Sequence, residues 1–515
     1  MNIRAYKITI PAVIIIVGIL LRSYIAFAIK PFSGDSAVFA LMAKHISEFR
    51  EFYIYMPLAH YAGAMSSYIG AALFTAFGVS YNSFISGGLI FSSVGLIAGC
   101  ILSRKILDGF GELISDLLIA IPSVFIIRYS IFAGVLAENA LFIPLLLLIA
   151  VKINVGDSRR PGLLATISGV VSGIALWATP SSFPAILTVI TLLMMTRHRR
   201  LPSAAVILFF MGLLIGYTPA IIYNFQNPNA TLFRMAGRVL SLDRSALSCP
   251  DLPALIFRQI CWRLSTVPDS LYRIPRLMAE LISFPGMLLF CISTIIVFTG
   301  RLSRWFDNRR LDGVGVVLLY TLWNVIFYPL LVGEAASRYM MPLVLAGPFL
   351  IGDALSSVSK WTGRFLIIAI AAVFLYYNVS TVKASASLPD SGRYAHLADW
   401  LVKNNALYGY SDYDTAYITD FDTLEKATIS PTLFHPTFAD RWPDKTKEVR
   451  NSQNVCYIID RKRYTGLIKA FENNLAALGL PVNAHQVDGF AVYRDIPGNV
   501  RPGQLIPIGD KQERR

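Results

Sequence analysis

The sequence predicts an all-α polytopic membrane domain of about eleven transmembrane helices, followed by a small α/β soluble domain on the outer side of the membrane. Three observations predict it. The 515 residues are 55% hydrophobic and only 15% charged, whereas soluble domains carry about 25% charged residues. The charge is also divided unevenly, with 33 of the 78 charged side chains in residues 380–515 and 45 in the preceding 379. Finally, those first 379 residues break into apolar stretches long enough to cross about 30 Å of hydrocarbon.

The apolar stretches run roughly 8–29, 83–103, 113–127, 131–151, 162–178, 181–196, 203–223, 284–300, 313–332, 339–356 and 364–379. Alternate connections carry Arg104 and Lys105; Lys152, Arg159 and Arg160; Arg197, Arg199 and Arg200; Arg301, Arg304, Arg309 and Arg310; and Lys360 and Arg364. With Arg4 and Lys7 they put 16 basic residues on one side, which the positive-inside rule makes cytoplasmic. The N-terminus is then inside and the tail outside. The first stretch is too long for a signal peptide and reads as a retained anchor. A twelfth apolar stretch, residues 63–78 (GAMSSYIGAALFTAFG), would invert every later loop if it crossed. Being short, rich in small residues and closed by Gly78, it reads as interfacial or re-entrant. The expected domains are therefore 1–379, a transmembrane domain with outer loops 30–82 and 224–283, and 380–515, an extracytoplasmic domain.

The formal net charge of +14 does not indicate nucleic-acid binding. The tail holds 17 basic and 16 acidic residues, so +13 of the +14 lies among the apolar stretches, where membrane orientation requires it. Arg234, Arg238, Arg244, Arg258, Arg263, Arg273 and Arg276 in the second outer loop suit lipid headgroups or an anionic substrate. In the tail, residues 392–404 show helical spacing at Tyr394, Leu397, Leu401 and Val402. Strand-like runs follow at Ala416–Thr419, Val455–Ile459 and Gly489–Tyr493, with a helix near 464–478. Cys249 and Cys261 share an outer loop and are a candidate disulfide.

The inner loops are short, so chemistry is expected on the outer side. No GxxxxGK[ST] or GxGxxG phosphate loop is present. Nucleotide-activated donors are scarce outside, so a group transferred there arrives on a membrane-soluble carrier. Four charged residues stand near the outer surface. Asp35, in PFSGDSAVFALMAKHISEF, reads either as the N-cap of the following helix or as a general base at the interface. Glu138, in RYSIFAGVLAENALF, reads either as an exposed interfacial carboxylate paired with Arg128 or as a functional ionisable residue at membrane depth. Glu334 and Arg338 lie in GEAASRYMMPL. Arg338 reads either as an interfacial anchor beside Tyr339 or as a phosphate ligand.

Seven segments in order resemble the multispan glycosyltransferases of the C-type fold, which include protein O-mannosyltransferases and lipid A aminoarabinose transferases. They are GDSAVFALMAKHI, HYAGAMSSYIGAALFTAFGVS, FAGVLAENALF, VSGIALWATPSSFPAILTVITLL, GYTPAIIYNFQNPNATLF, RYMMPL and SDYDTAYITDF, the last like strands of the family's outer domain. The resemblance implies a hexosyl- or pentosyltransferase of the cell envelope. It would take its sugar from a polyprenyl-phosphate donor and pass it to a glycan, lipid or protein acceptor. Asp35 would be the base on the acceptor hydroxyl and Glu138 the second acidic group. Arg338, with Arg128 as a weaker candidate, would hold the carrier phosphate, and Tyr61 would line the donor cavity beside His60, a spare base. No cofactor is required, and the use of a divalent metal is left open. Departures are Ser36 where a second acidic residue is common, Phe39 where some relatives have Tyr, and Ser66 where many bacterial relatives are acidic. The alternatives are a glycan polymerase or ligase acting on lipid-linked oligosaccharide, and a non-enzymatic flippase. The expected location is the bacterial inner membrane.

Overall fold

In the computed structural model, the described residues are 3–131, 134, 136–155, 160–196, 204–227, 252–308, 311–331, 337–357, 361–385, 392–433 and 440–506. The chain divides into two compact units. One takes in Met1–Ala28, His60–Ser66 and Ile85–Ser387; the other takes in Ile29–Ala59, Ser67–Phe84 and Leu388–Arg515. The tail therefore shares its unit with most of residues 30–82.

The first unit is helical. Five helices among the described residues are long and apolar enough to cross a membrane: Thr9–Ile29, Tyr81–Ile106, Ala137–Val155, Pro161–Ala178 and Arg273–Arg301. The number rises to eight if three bent pairs are each one span. These pairs are Gly109–Ala120 with Val124–Ile131, bent by 64°, Ala204–Gly216 with Thr218–Gln226, bent by 58°, and Ser337–Val344 with Gly347–Ser357, bent by 45°. Pro122, Pro219 and Pro348 stand at these breaks, where a ring replaces the amide hydrogen and crowds the preceding turn. The long helix Leu252–Asn308 is interrupted at Ser283, which has a φ of 71°. Together these helices make an integral membrane protein.

Where the chain bends, its loose backbone groups find partners. Arg22 is 4% exposed in the first span. It donates to Ser92 Oγ at 2.9 Å and to the carbonyls of Gly18, Ala120 and Ile119 at 3.0, 2.9 and 3.0 Å. The last two are the carbonyls that the Pro122 break leaves without intrahelical donors. The Pro161–Ala178 and Ala204–Gly216 helices meet through Gly169, Gly173, Gly212 and Gly216, a small-xxx-small pattern on both partners. A Cβ on Gly169 would fall 2.0 Å from the Phe209 carbonyl, and one on Gly212 2.3 Å from that of Thr166. Only glycine permits this approach.

The second unit is α/β. Strand β1 (Tyr55–Met56) precedes the tail, and β2 (Ala59–Gly63) falls, apart from Ala59, in the first unit; β3 (Tyr408–Tyr410), β4 (Thr428–Ser430), β5 (Asn454–Asp460), β6 (His485–Val487) and β7 (Phe490–Pro497) lie within the tail. The tail strands form one sheet ordered β4-β3-β5-β7-β6, parallel between β3 and its two neighbours and antiparallel across β7. Tyr410, Tyr457, Phe471 and Tyr493 fill its core. The expected helices are present as Gly392–Lys403 and Arg461–Ala477. The strand expected at Ala416–Thr419 is instead helix, Tyr413–Asp422, and the local strand is β3. Tyr, Ile and Thr favour strands intrinsically. Here Asp412 caps the helix by accepting from Thr415 N at 3.3 Å, and burial of Ala416, Ile418 and Phe421 does the rest.

The Tyr413–Asp422 helix packs against Gly34–Ser47, and this is how the segment after the first span joins the tail. Phe421 stacks on Phe74 (6.2 Å between centroids) and meets Phe32 at a tilt (5.6 Å). Residues 63–78 contain a helix of 13 residues, Met65–Phe77. At about 1.5 Å per residue it is too short to cross 30 Å of hydrocarbon.

Candidate functional site

Asp35 lies in the first turn of Gly34–Ser47. The cap of that helix is Ser33, whose hydroxyl accepts from Ser36 N at 3.3 Å. The N-cap reading of Asp35 is thereby removed, since the residue is inside the helix. Its exposed carboxylate accepts from the Tyr413 hydroxyl at 2.8 Å through Oδ1. Tyr413 Oη in turn accepts from Arg441 Nε at 3.2 Å. Burial, then the charge of Asp35, raises the Tyr413 phenol above its ordinary range, so it stays protonated and able to donate. Gly34 N donates to Asp414 Oδ1 at 2.6 Å, and Arg463 holds Asp414 Oδ2 at 2.5 Å. A Cβ on Gly34 would sit 2.6 Å from Tyr413 Cδ1 and 2.7 Å from Asp414 Oδ1. Glycine at 34 thus permits the docking that brings Tyr413 to Asp35.

Farther along the same helix, Glu425 receives Lys44 Nζ at 2.7 Å, His45 Nε2 at 2.8 Å, Arg50 Nη1 at 3.2 Å and Lys445 Nζ at 2.7 Å. Burial would raise this carboxyl, but the His45 hydrogen bond and the Lys445 and Lys44 ammoniums hold it well below the usual range. His45 Nδ1 lies 2.8 Å from Tyr53 Oη.

Glu138 belongs to the other unit. It sits in the first turn of Ala137–Val155 and is fully buried, which removes the reading of an exposed interfacial carboxylate. Ser66 Oγ donates to its Oε1 and accepts from Gly134 N at 3.2 Å. Among the described residues, Glu138 Oε2 has no hydrogen-bond partner. A buried carboxylate oxygen is costly to leave without a partner. The adjacent Asn139 accepts from Thr179 Oγ1 at 3.2 Å and Ser181 Oγ at 2.9 Å. His60 Nδ1 is 2.6 Å from the Tyr223 hydroxyl, and Tyr61 follows it on β2. Arg338, in the turn Ser337–Met340, has its guanidinium 5.2 Å from the Tyr339 ring centroid. Arg128 lies in Val124–Ile131. Glu334 and Cys249 lie outside the described residues, as does the side chain of Cys261. Among the described residues no three His, Cys, Asp or Glu side chains gather as a metal site.

No protein-family model and no curated protein sequence matches the chain. Solved structures do. ArnT from Cupriavidus metallidurans bound to undecaprenyl phosphate matches at 11% identity with a TM-score of 0.58, over 96% of this chain and 99% of that one. The Archaeoglobus fulgidus oligosaccharyltransferase in complex with zinc and sulfate matches at 13% and 0.55, over 92% and 70%. The archaeal oligosaccharyltransferase AglB, with an inhibitory peptide and a dolichol-phosphate, matches at 11% and 0.51, over 93% and 72%. The fold is that of the C-type membrane glycosyltransferases.

Reading the sequence for motifs singled out Asp35 and Glu138 but not the side chains that meet them. Ser66 stood out only as a departure, yet it is the group against Glu138. Tyr413 and Arg441 carried no signal, because they lie 378 and 406 positions from Asp35 and only the folded chain joins them.

Proposed function

We propose that the chain is a membrane glycosyltransferase that moves a sugar from a polyprenyl-phosphate donor to an acceptor hydroxyl at the outer face of the membrane. The observation that carries the reading is Asp35: an exposed carboxylate just after the first apolar span, oriented by a hydroxyl from elsewhere in its unit. The fold supports it, because it is shared nearly end to end with a transferase solved with undecaprenyl phosphate. In this mechanism Asp35 takes the proton from the acceptor hydroxyl as its oxygen bonds to the anomeric carbon. The bond from that carbon to the phosphate oxygen breaks, and polyprenyl phosphate leaves with the electron pair. The leaving group is already good, so charge stabilisation matters more than a general acid. Arg338, and secondarily Arg128, would bind that phosphate. Glu138 would hold a polar group of the donor or acceptor with its unpartnered oxygen. Tyr61 and His60 would line the donor cavity, with Glu334 and Tyr339 flanking Arg338. The 16 basic residues of the alternate loops support a cytoplasmic N-terminus and an extracytoplasmic tail, and a bacterial inner membrane fits this arrangement.

The test is transfer of radiolabelled sugar from a pool of polyprenyl-phosphate sugars and lipid-linked oligosaccharides in proteoliposomes. Wild type is expected to turn over, and Asp35→Asn to lose about 10²-fold or more, the scale of a removed general base. Turnover of oligosaccharide alone would indicate a glycan ligase. Labelled lipid crossing the bilayer without transfer would replace the enzyme reading with a flippase.

A further inference from the structure

We propose that Tyr413 and Arg441, from the C-terminal part of the chain, are positioning residues for the Asp35 base, which makes the tail a working part of the catalytic machinery. The inference rests on the reading of Asp35 as that base. Its geometric content is a one-way chain of hydrogen bonds. Arg441 Nε lies 3.2 Å from Tyr413 Oη, and Tyr413 Oη lies 2.8 Å from Asp35 Oδ1. A guanidinium only donates and a carboxylate only accepts, so the single phenolic proton must point at Asp35. The charged donor behind it polarises the hydroxyl and strengthens that bond.

The chain is itself held. Arg441 Nη1 donates to the Pro57 carbonyl at 3.3 Å, its backbone N–H donates to Tyr417 Oη at 2.6 Å, and its guanidinium lies 5.6 Å from the Tyr413 ring centroid. The Tyr413 ring meets Tyr417 edge-on at 5.0 Å. Gly34, lacking a side chain, admits the whole assembly, while its N–H is pinned by Asp414. An exposed carboxylate needs none of this for solvation, and exposed pairs stabilise a fold very little. What a half-buried, braced hydroxyl adds is orientation. One carboxylate oxygen is fixed, so the other is presented to the acceptor hydroxyl at a defined angle, and misplacement by about 1 Å can cost 10²-fold in rate.

The experiment is a double-mutant cycle in the proteoliposome assay with the full chain. Tyr413→Phe is expected to lower kcat about tenfold or more with the donor KM unchanged. In an Asp35→Asn background the same change should cost nothing further, because its effect runs through the missing carboxylate. Arg441→Gln, which leaves the Tyr413 ring in place, should show the same pattern with a smaller loss. Melting curves of each variant identify any that misfold, and Arg441→Gln then carries the cycle. Equal losses from Tyr413→Phe in both backgrounds, or a loss in KM alone, would overturn the proposal while leaving the transferase reading intact. Absence of turnover in the wild type takes down both.

Discussion

Glu138 shows how much depends on one side chain. Its carboxylate is fully buried, with Ser66 on one oxygen and no described partner for the other. A merely structural acid here would be better replaced by its neutral isostere, since burying an unpaired charge is costly. Glu138→Gln is therefore expected to keep or raise the melting temperature while lowering transfer at least tenfold. Thermal unfolding and single-turnover transfer on the same preparation check this. Ser66→Ala should do the opposite in stability, because it strips the remaining oxygen of its donor, a change worth about 1–3 kcal/mol. Both acidic residues were legible from their place beside apolar stretches. Their partners were not, because a serine or tyrosine carries no signal until something is folded against it.

At the scale of elements, apolar length was legible; breaks and packing were not. The stretches 113–127, 203–223 and 339–356 read as continuous, yet the structure bends them by 64°, 58° and 45° beside Pro122, Pro219 and Pro348. Arg22 lies in an apolar run and finds its place only when the broken helix Gly109–Ala120 presents its last carbonyls. Arg22→Met is expected to leave those carbonyls unpaired, at about 1–3 kcal/mol each. It should lower the melting temperature in detergent more than Arg22→Lys, which keeps one donor group. An unchanged melting temperature would mean that water or lipid replaces the guanidinium. The segment Ala416–Thr419 is the case where local preference misled. Its strand-forming residues fold as a helix because Asp412 caps them and Phe421 is buried against Phe32 and Phe74.

For the molecule as a whole, the second unit has a charge balance that pH should expose. Burial pushes Asp420 up to about 7, against the attraction of Lys445, and burial together with Asp399 pushes Asp422 up to about 7. Both carboxyls hold a proton more tightly folded than unfolded, where Asp titrates near 3.9. Their contribution is thus present below about pH 4 and lost as pH rises through 7. Glu425 is held low, so its contribution is present above about pH 4.3 and lost on further acidification. The unit should therefore be most stable in mildly acidic solution and weaken as pH rises from about 4 to about 7. Asp420→Asn keeps the acceptor for Ile429 N, now 2.8 Å from Oδ1, and should flatten that decline. Thermal melts of the full chain in detergent across this range check it, and a wild-type transition that does not weaken toward about pH 7 would count against the buried carboxyls.

The sequence by itself determined that the chain is a polytopic membrane protein with a charged α/β tail. Both follow from composition and apolar length, which act over a few turns of chain. Only the tertiary structure decided that residues 29–59 and 67–84 share a unit with the tail, that Ser66 meets Glu138, and that Tyr413 and Arg441 reach Asp35. The physical reason is range. Hydrogen bonds act over about 3 Å, and no local pattern records which groups hundreds of residues apart will be brought that close by the burial of a few aromatic rings.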